Sequence, residues 1–403
     1  MVAVPVVLLL TMSTRSKAPD NGLSHIPESN YQIPDKFLHN LDEDIIKAKA
    51  DQLNETFENL QKRNGFNGAV MYAEKGRLVY QKAFGQANVS DNSPLSIHTP
   101  FELASVSKMF TALAVMILKE RNQLSFEDTI TKFFPDFPYP GITIRNLLNH
   151  RSGLSRYMSL AHTKWPDKTK GMSNKDMLDL FIKHKPKTYY QPDQKFHYCN
   201  TNYALLACLV EEVSGMPFDR FVKMHIFRPL QMNDSFVYNM DEDSVVSFYL
   251  EEGATGYRFR GWRKYRVRNN YLNAVMGDKG VFSSVADMYK FDQALYDQLL
   301  VSKETLTEAF KKGSADDKKY GDDYGFGWRI KSDMDSCVYH YGWWKGFRSF
   351  FIRDIKNQKS IVVLSNFDKG PGSAHFWKII KNNEHELGYI SKLDVNPFFT
   401  ESY

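Results

Sequence analysis

A chain of 403 residues has room for one large domain or roughly two to three smaller ones, with a substantial core. With 42% hydrophobic and 25% charged residues, its composition is that of a globular protein and excludes a low-complexity chain. The net charge of +5 is too small for this length to indicate a nucleic-acid partner. Three cysteines without a C-x-x-C or H-E-x-x-H pattern argue against a disulfide framework and give no support to a metal or other cofactor.

The N-terminal segment MVAVPVVLLLTM contains an apolar run of about 10 residues, too short to cross a bilayer because a spanning helix needs ~20. It resembles the apolar core of a signal peptide and is followed by Arg15 and Lys17, although no basic segment precedes it. We predict that residues 1–30 are a leader and that the protein is exported, periplasmic or secreted. The alternative is a frayed or truncated leader on a cytoplasmic protein. No other segment of the sequence is apolar enough to be an integral membrane segment.

Residues 31–403 are predicted to form a single domain that begins with a helix and a pair of strands. Residues 42–64 have the apolar spacing of a helix that ends at Gly65. Residues 68–85 form two β-rich runs separated by the turn-like Glu74-Lys75-Gly76.

The C-terminal third again has β character. It contains the β-rich runs SCVYHYG, FRSFFIR and SIVVLSN, with Lys356-Asn357-Gln358 as a turn between the last two, and a closing helix is predicted from Ala374 to Leu387. We expect an α/β (α+β) fold with one antiparallel sheet built from about residues 42–100 and 285–395 and flanked by helices. A mainly helical part, from about 101 to 284, is inserted between its halves.

The segment FELASVSKMFTALAVMILKE, residues 101–120, is apolar on nearly all sides after Lys108, which predicts a core helix. Ser105 and Lys108 are three positions apart and would lie side by side on one face of that helix. A serine hydroxyl is a weak nucleophile that needs an adjacent base, and a lysine desolvated by the core can serve. An ordinary capped helix is the alternative, because S-x-x-K alone is a weak motif.

Two later segments bring further polar groups to predicted loops. QPDQKFHYCNTNYALLACLVEEVSG places Tyr198, Cys199 and Asn200 in a loop entering a helix that ends at Gly215. VYHYGWWKGFRSFF places His340-Tyr341-Gly342 between one strand and the start of the next. Phenol, amide and imidazole groups are typical of sites for nucleophilic catalysis.

Between these segments, YRFRGWRKYRVR (257–268) alternates five arginines with aromatic residues. The period of two and a turn at Gly261 predict a solvated β-hairpin with one cationic face. Basic residues interleaved with aromatics also bind anionic polymers or single-stranded nucleic acid, so attraction to an anionic cell-wall polymer or to nucleic acid is the alternative.

Together these segments resemble the serine β-lactamase-related, penicillin-recognising serine hydrolases. The resemblance is to the branch with class C β-lactamases, D-alanyl-D-alanine carboxypeptidases and esterases, which combine S-x-x-K with Y-x-N and with K-T-G or H-x-G. It covers roughly residues 45–390. Four further segments resemble the family's motifs and follow in the same order: LLNHRSGL (147–154), PDQKFHYCN (192–200), GDKGVFSSVADMYKF (277–291) and YGFGW (324–328).

The resemblance implies a catalytic role for four residues. Ser105 would attack the substrate carbonyl and carry the acyl group, while Lys108 and Tyr198 would share the work of the base as a jointly titrating pair. His340 stands where lysine is commoner and would hydrogen-bond or polarise the Tyr198 side. Asn200 would orient Lys108 and bind a substrate amide.

The resemblance also implies how the substrate is held. Gly342 would let the backbone approach the substrate closely, and the N–H groups of Ser105 and Trp343 would form the oxyanion hole. Tyr341 stands where family members that act on β-lactams or D-alanyl peptides usually supply a hydroxyl to the substrate carboxylate. Arg348 is the candidate replacement anion contact. No metal site and no dedicated deacylation glutamate is identified.

Each residue also has a structural interpretation when it is taken singly. Tyr198 is a half-buried aromatic, Asn200 the N-cap of the following helix, and His340 a core histidine. We interpret His150 in LLNHRSGL as structural, holding the turn beside its glycine. Cys199 is a weak alternative nucleophile.

The predicted function is cofactor-free acyl transfer to water through a Ser105 acyl-enzyme, on an ester, an amide or peptide, or a β-lactam. D-alanyl-D-alanine carboxypeptidase or β-lactamase activity proper is an alternative within the same class. An acyl-trapping sensor or binding protein that does not hydrolyse its ligand is the alternative of another class. The expected partner is a small-molecule or peptide substrate of cell-wall type, not nucleic acid, and the sequence indicates no oligomeric state.

Overall fold

The computed structural model describes residues 42–239, 253–313, 323–334 and 336–387. The predicted leader lies outside the described residues. The helices are α1 (Glu43–Asn64), α2 (Ser107–Glu120), α3 (Ile144–Leu148), α4 (Tyr157–Lys164), α5 (Asn174–His184), α6 (Asn200–Ser214), α7 (Phe218–Val222), α8 (Val285–Tyr296), α9 (Lys303–Ala309) and α10 (Ser373–Lys381). None of the described helices is both long and apolar enough to span a membrane.

The strands, in chain order, are β1 (Gly68–Glu74), β2 (Arg77–Phe84), β3 (Gln86–Asn88), β4 (Ser93–Pro94), β5 (Phe101–Glu102), β6 (Phe236–Val237), β7 (Tyr257–Arg260), β8 (Arg263–Arg266), β9 (Val281–Ser283), β10 (Asp323–Tyr324), β11 (Arg329–Ile330), β12 (Cys337–Trp344), β13 (Phe347–Asp354) and β14 (Lys359–Ser365). Seven of them form one antiparallel sheet in the order β10-β11-β12-β13-β14-β1-β2. The N-terminal and C-terminal parts of the sheet meet where β1 pairs with β14, from Gly68 opposite Ser365 to Glu74 opposite Lys359. The predicted sheet from both ends of the chain is confirmed.

The sheet is covered on both faces, which is why its central strands read as continuous apolar runs. One face packs against α1 and α10 through a cluster that includes Phe57 and Phe376. The other packs against the helical part, whose buried centre is α2 and α6. Helix α1 has the predicted limits because the Asp42 side chain accepts N–H groups of its first turn and Gly65 takes the left-handed conformation after its last.

Several predicted boundaries are corrected by the structure. The closing helix ends at Lys381 rather than Leu387. His340-Tyr341-Gly342 lies inside strand β12 rather than between strands. Cys199, not Asn200, is the N-cap of α6, and Asn200 is its first helical residue.

Candidate active site

Ser105 lies in a 3₁₀ turn, Ala104–Val106, directly before α2 and not in the α-helix itself. Ala104 has φ +50°, a left-handed conformation that costs a residue with a Cβ about 1 kcal/mol. Its N–H is held by the Glu102 carboxylate at 3.1 Å. The turn still places Ser105 beside Lys108, whose Nζ donates to Ser105 Oγ at 3.1 Å.

Lys108 is fully buried at the start of α2. Besides Ser105, its Nζ donates to the backbone C=O of Asp278 at 2.7 Å. The same atom lies 5.1 Å from the ring centre of Tyr198 and 5.7 Å from that of Tyr203. Among the described residues Lys108 forms no ion pair, so oxygen atoms and aromatic faces hold it next to the nucleophile.

Tyr198 and Asn200, at the start of α6, each carry a polar atom that is not used in a hydrogen bond to the described residues. The Tyr198 hydroxyl and the Asn200 Oδ1 are both buried and have no hydrogen-bond partner among the described residues. Buried polar atoms are almost always paired, so these two unpaired atoms indicate groups that await a substrate or water. The Arg329 guanidinium lies 5.2 Å from the Tyr198 ring centre.

His150 has the structural role expected for it. It is fully buried, and its Nδ1 accepts the N–H of Cys199 at 3.2 Å. Its ring centre lies 4.3 Å from that of Tyr198. Burial, aided by the charge of Lys108, lowers the pKa of His150 well below the usual histidine value. A neutral His150 therefore fixes the backbone that carries Tyr198.

His340 does not hydrogen-bond to Tyr198, contrary to the expectation from sequence. Its Nδ1 donates to the Tyr341 C=O at 2.8 Å, so its Nε2 accepts from the Tyr324 hydroxyl at 2.9 Å. Burial lowers its pKa well below the usual value, with Arg329 and Lys108 acting in the same direction. His340 is therefore neutral, and its ring centre lies 6.1 Å from that of Tyr198.

A cleft of about 700 Å³ opens at Ser105. It is lined by Ser105, Tyr341, Gly342, Trp343, Arg348, Phe350, Asp368, Lys369 and Gly370. Gly342 is required by close packing, because a Cβ there would overlap the Leu103 C=O and the Ser349 hydroxyl. The glycine therefore brings strand β12 against the turn that carries the nucleophile.

One edge of strand β12 lies against the turn that carries Ser105. Lys331 N–H donates to the C=O of Cys337, on the edge of β12 that faces β11. Because backbone groups alternate along a strand, every second residue from Cys337 onward directs its N–H and C=O to this edge. Strand β11 pairs no further along β12 than Tyr339. The Trp343 N–H therefore faces the unpaired part of the edge, against which the Ser105 turn packs.

Tyr341 turns its hydroxyl away from the cleft. The hydroxyl accepts the indole N–H of Trp377 at 2.6 Å, and the ring packs 5.3 Å from that of Phe350. Arg348 lines the cleft, and one guanidinium N–H donates to the Pro371 C=O at 3.1 Å. Burial lowers the pKa of Arg348, although the negative charge of Asp368 acts to raise it.

A buried polar network behind the site was missed by sequence reasoning. The Glu102 carboxylate accepts the N–H groups of Ala104 and, at 2.9 Å, of Gly280. Lys279 Nζ donates to Tyr157 OH at 2.8 Å and to the Asp278 carboxylate at 3.2 Å. The network thus fixes the loop whose carbonyl holds Lys108. The one available signal was Lys279 in GDKG, since the resembling segment has glycine there.

Glu102 gives the network a pH dependence. Burial raises the pKa of its carboxyl from 4.5 to about 7, although the two N–H donors and the charge of Lys279 act to lower it. The folded protein therefore holds this proton more tightly than the unfolded chain, and the free energy of unfolding falls as pH rises from about 4.5 to about 7. We expect Glu102→Gln to remove about 3 kcal/mol of that fall, measured by urea unfolding at several pH values.

The exposed Glu304→Gln serves as the control and should leave the pH profile of stability unchanged. Superimposable profiles for Glu102→Gln and the unsubstituted protein would contradict the assigned pKa.

No group of three or more His, Cys, Asp or Glu side chains in the described part of the chain is arranged to hold a metal ion. The site instead combines a serine, a buried lysine, a tyrosine and an asparagine with two backbone N–H groups. This set of groups is typical of serine hydrolases.

Comparison with known proteins agrees. The sequence model of the family described as "Beta-lactamase" matches residues 53–381. Penicillin-binding protein 4* of Bacillus subtilis is 36% identical over 84% of this chain and 76% of its own length. Teichoic acid D-alanine hydrolase of Staphylococcus aureus is 26% identical over 79% of this chain and 76% of its own. The crystal structure of a penicillin-binding protein from Bacillus halodurans superposes with a TM-score of 0.70 at 25% identity, covering 80% of this chain and 98% of that one.

The chain therefore belongs to the beta-lactamase family. Within it, the chain is a serine hydrolase related to the β-lactamases and similar to penicillin-binding proteins.

Proposed function

We propose that the protein hydrolyses short uncharged acyl esters or amides through an acyl-enzyme on Ser105. The observation that carries this proposal is the 3.1 Å contact between Lys108 Nζ and Ser105 Oγ, with the lysine fully buried. The unpaired Tyr198 hydroxyl is the candidate to take the serine proton together with Lys108. Asn200 Oδ1 is the candidate to bind a substrate amide.

The oxyanion would be held by the N–H groups of Ser105 and Trp343. Removing one such donor typically costs about 3 kcal/mol of transition-state stabilisation. His340 would act only indirectly, by holding Tyr324 and the β12 backbone. Deacylation would use the same Lys108–Tyr198 pair, since Asp368, the one carboxylate among the described residues that line the cleft, already accepts the N–H of Phe259 at 3.0 Å.

The substrate preference follows from the cleft wall. Because the Tyr341 hydroxyl is bound to Trp377, it is directed away from a substrate carboxylate in the cleft. An unpaired carboxylate is discriminated against strongly, by up to ~10⁴-fold. Trp343, which is 70% exposed at the cleft, offers apolar area instead. The relative named as a teichoic acid D-alanine hydrolase supports acyl removal rather than lactam opening.

We expect p-nitrophenyl acetate to react with a higher kcat/KM than benzylpenicillin or a D-alanyl-D-alanine peptide. Tyr341→Thr, which restores a small hydroxyl, should raise the penicillin-to-ester ratio of kcat/KM at least tenfold, while ester turnover stays within about tenfold. Steady-state kinetics on both substrates measure the ratio.

Tyr341→Phe is the matched control, because it removes the same hydroxyl without placing a new one in the cleft, and it should leave the ratio unchanged. If a cephalosporin or D-alanyl peptide is turned over with kcat/KM above ~10⁴ M⁻¹s⁻¹, an ordinary enzymatic value, the protein is a β-lactamase or carboxypeptidase. A stable acyl-protein mass with no turnover of any substrate would assign it instead to acyl-trapping sensors.

A further inference from the structure

The hairpin β7–β8 carries a cationic face that the hydrolase chemistry does not use. It turns at Gly261, which has φ +63°, and Trp262 at its tip is 83% exposed. The register pairs Arg258 with Tyr265 and Arg260 with Arg263. Because cross-strand partners share a face, these four side chains project together on the exposed side.

The opposite face of the hairpin anchors it to the protein. Tyr257 is buried there, and the Phe259 ring lies 5.2 Å from that of Phe367. Arg260 and Arg263, directly opposite each other, repel, and this destabilises an isolated hairpin. In the described part of the chain the exposed face forms one ion pair, from Arg258 to Asp368 at 3.7 Å. Arginines that are kept together despite this repulsion indicate a surface for an anionic ligand.

The hairpin stands on the rim of the Ser105 cleft. Tyr257 N–H donates to the Asn366 C=O at 2.8 Å, and Asp368 N–H donates to the Tyr257 C=O at 3.0 Å. Asp368 and its neighbour Lys369 line the cleft. A ligand lying along the arginine face is therefore directed toward the nucleophile.

The side chains select the ligand chemistry. Arginine binds planar or tetrahedral oxyanions through two parallel N–H groups, and the Cα atoms of residues two positions apart on a strand, such as Arg258 and Arg260, lie about 7 Å apart. That spacing suits repeated phosphate groups on a linear chain. The guanidinium groups of Arg260 and Arg263 lie over the Tyr265 and Trp262 rings at 5.7 and 5.2 Å, which limits stacking with nucleobases.

We propose that the face formed by Arg258, Arg260, Arg263 and Tyr265 binds a linear phosphodiester polymer and holds its acyl substituents at the Ser105 cleft. The delivery of acyl groups rests on the proposed function, whereas polymer binding does not. Lipid surfaces fit less well, because the face offers three guanidinium groups and little apolar area beyond the Tyr265 ring.

Binding is tested with glycerol-phosphate oligomers, a phosphodiester chain without bases, and fluorescently labelled full-length protein, by anisotropy at two salt concentrations. In a triple variant, Arg258→Gln, Arg260→Gln and Arg263→Gln, we expect the affinity for the polymer to fall at least tenfold. The negative slope of log affinity against log salt should become shallower by about 3. The matched control replaces three exposed lysines of the helical part, Lys164, Lys168 and Lys183, with glutamine and should bind as the unsubstituted protein does.

An equal loss of affinity in the two triple variants, or no loss of affinity in either, would overturn the proposal. So would tighter binding of polyglutamate, of oligo(dT) or of phosphatidylglycerol vesicles than of the glycerol-phosphate oligomers, because these results would assign the face to a carboxylate polymer, to nucleobases or to a lipid surface. Because anisotropy needs no turnover, it can be repeated on Ser105→Ala protein, which separates this result from failure of the proposed function. Delivery predicts that the arginine variant loses kcat/KM at least tenfold on acetylated glycerol-phosphate oligomers but not on p-nitrophenyl acetate.

Discussion

Ser105→Ala is expected to lower the hydrolysis of p-nitrophenyl acetate by at least ~10³-fold, because a covalent route cannot be taken over by neighbouring groups. The side chain is small and lies in a turn at the cleft, so the variant should retain the fold. Stopped-flow assays and intact-protein mass spectrometry after fluorophosphonate treatment measure both turnover and labelling. The unsubstituted protein should gain one adduct, and the variant none.

Cys199→Ala is the informative control for this experiment. Cys199 is buried, and burial raises the pKa of its thiol, which disfavours the reactive thiolate. We expect the variant to keep activity within about tenfold. Substantial activity in Ser105→Ala, or an adduct that maps to Cys199, would exclude the proposed nucleophile.

The second large effect is expected at the paired base. Lys108→Met keeps the buried volume but removes the amine, and Tyr198→Phe removes only the unpaired hydroxyl. Each should slow acylation by about 10²–10⁴-fold, the range for a positioned acid or base. The double variant should lose little more than either single variant, because the two groups act on one proton as a unit.

Single-turnover acylation rates give the coupling directly, and thermal unfolding checks that each variant is folded. Tyr203→Phe is the matched control. Its ring centre also lies near Lys108 Nζ, at 5.7 Å, but its hydroxyl donates to the Leu148 C=O at 2.7 Å, so loss of that hydroxyl should affect stability more than acylation rate. Losses at Lys108 and Tyr198 that multiply in the double variant would mean that the two residues have separate tasks.

Local sequence signals were enough to predict much of this fold. The limits of α1 follow from Asp42 and Gly65, and the turn at residues 356–358 separates β13 from β14 as expected. Helix α6 ends at Gly215 in the left-handed conformation. These features depend on side chains within a few positions of one another, which a single sequence displays.

The errors concern contacts between distant segments. The pairing of His340 with Tyr324 depends on how strands β10 to β12 come together, and nothing local distinguishes it from a contact with Tyr198. Glu102 and Gly280 are 178 positions apart, so their hydrogen bond could not be inferred from spacing. The position of Ser105 in a 3₁₀ turn reflects the left-handed Ala104, which alanine propensity disfavours.

The closure of the sheet between β1 and β14 has a consequence for biosynthesis. The Ser365 hydroxyl donates to the Asn67 carbonyl, 298 positions away, and every residue of β1 is buried once β14 is in place. During translation β1 is made early, and one edge of it has no partner until the last strand leaves the ribosome. Such long-range pairing slows folding and leaves an apolar edge open to aggregation. Release of the nascent chain before Ser365 would therefore give a product that cannot complete its core.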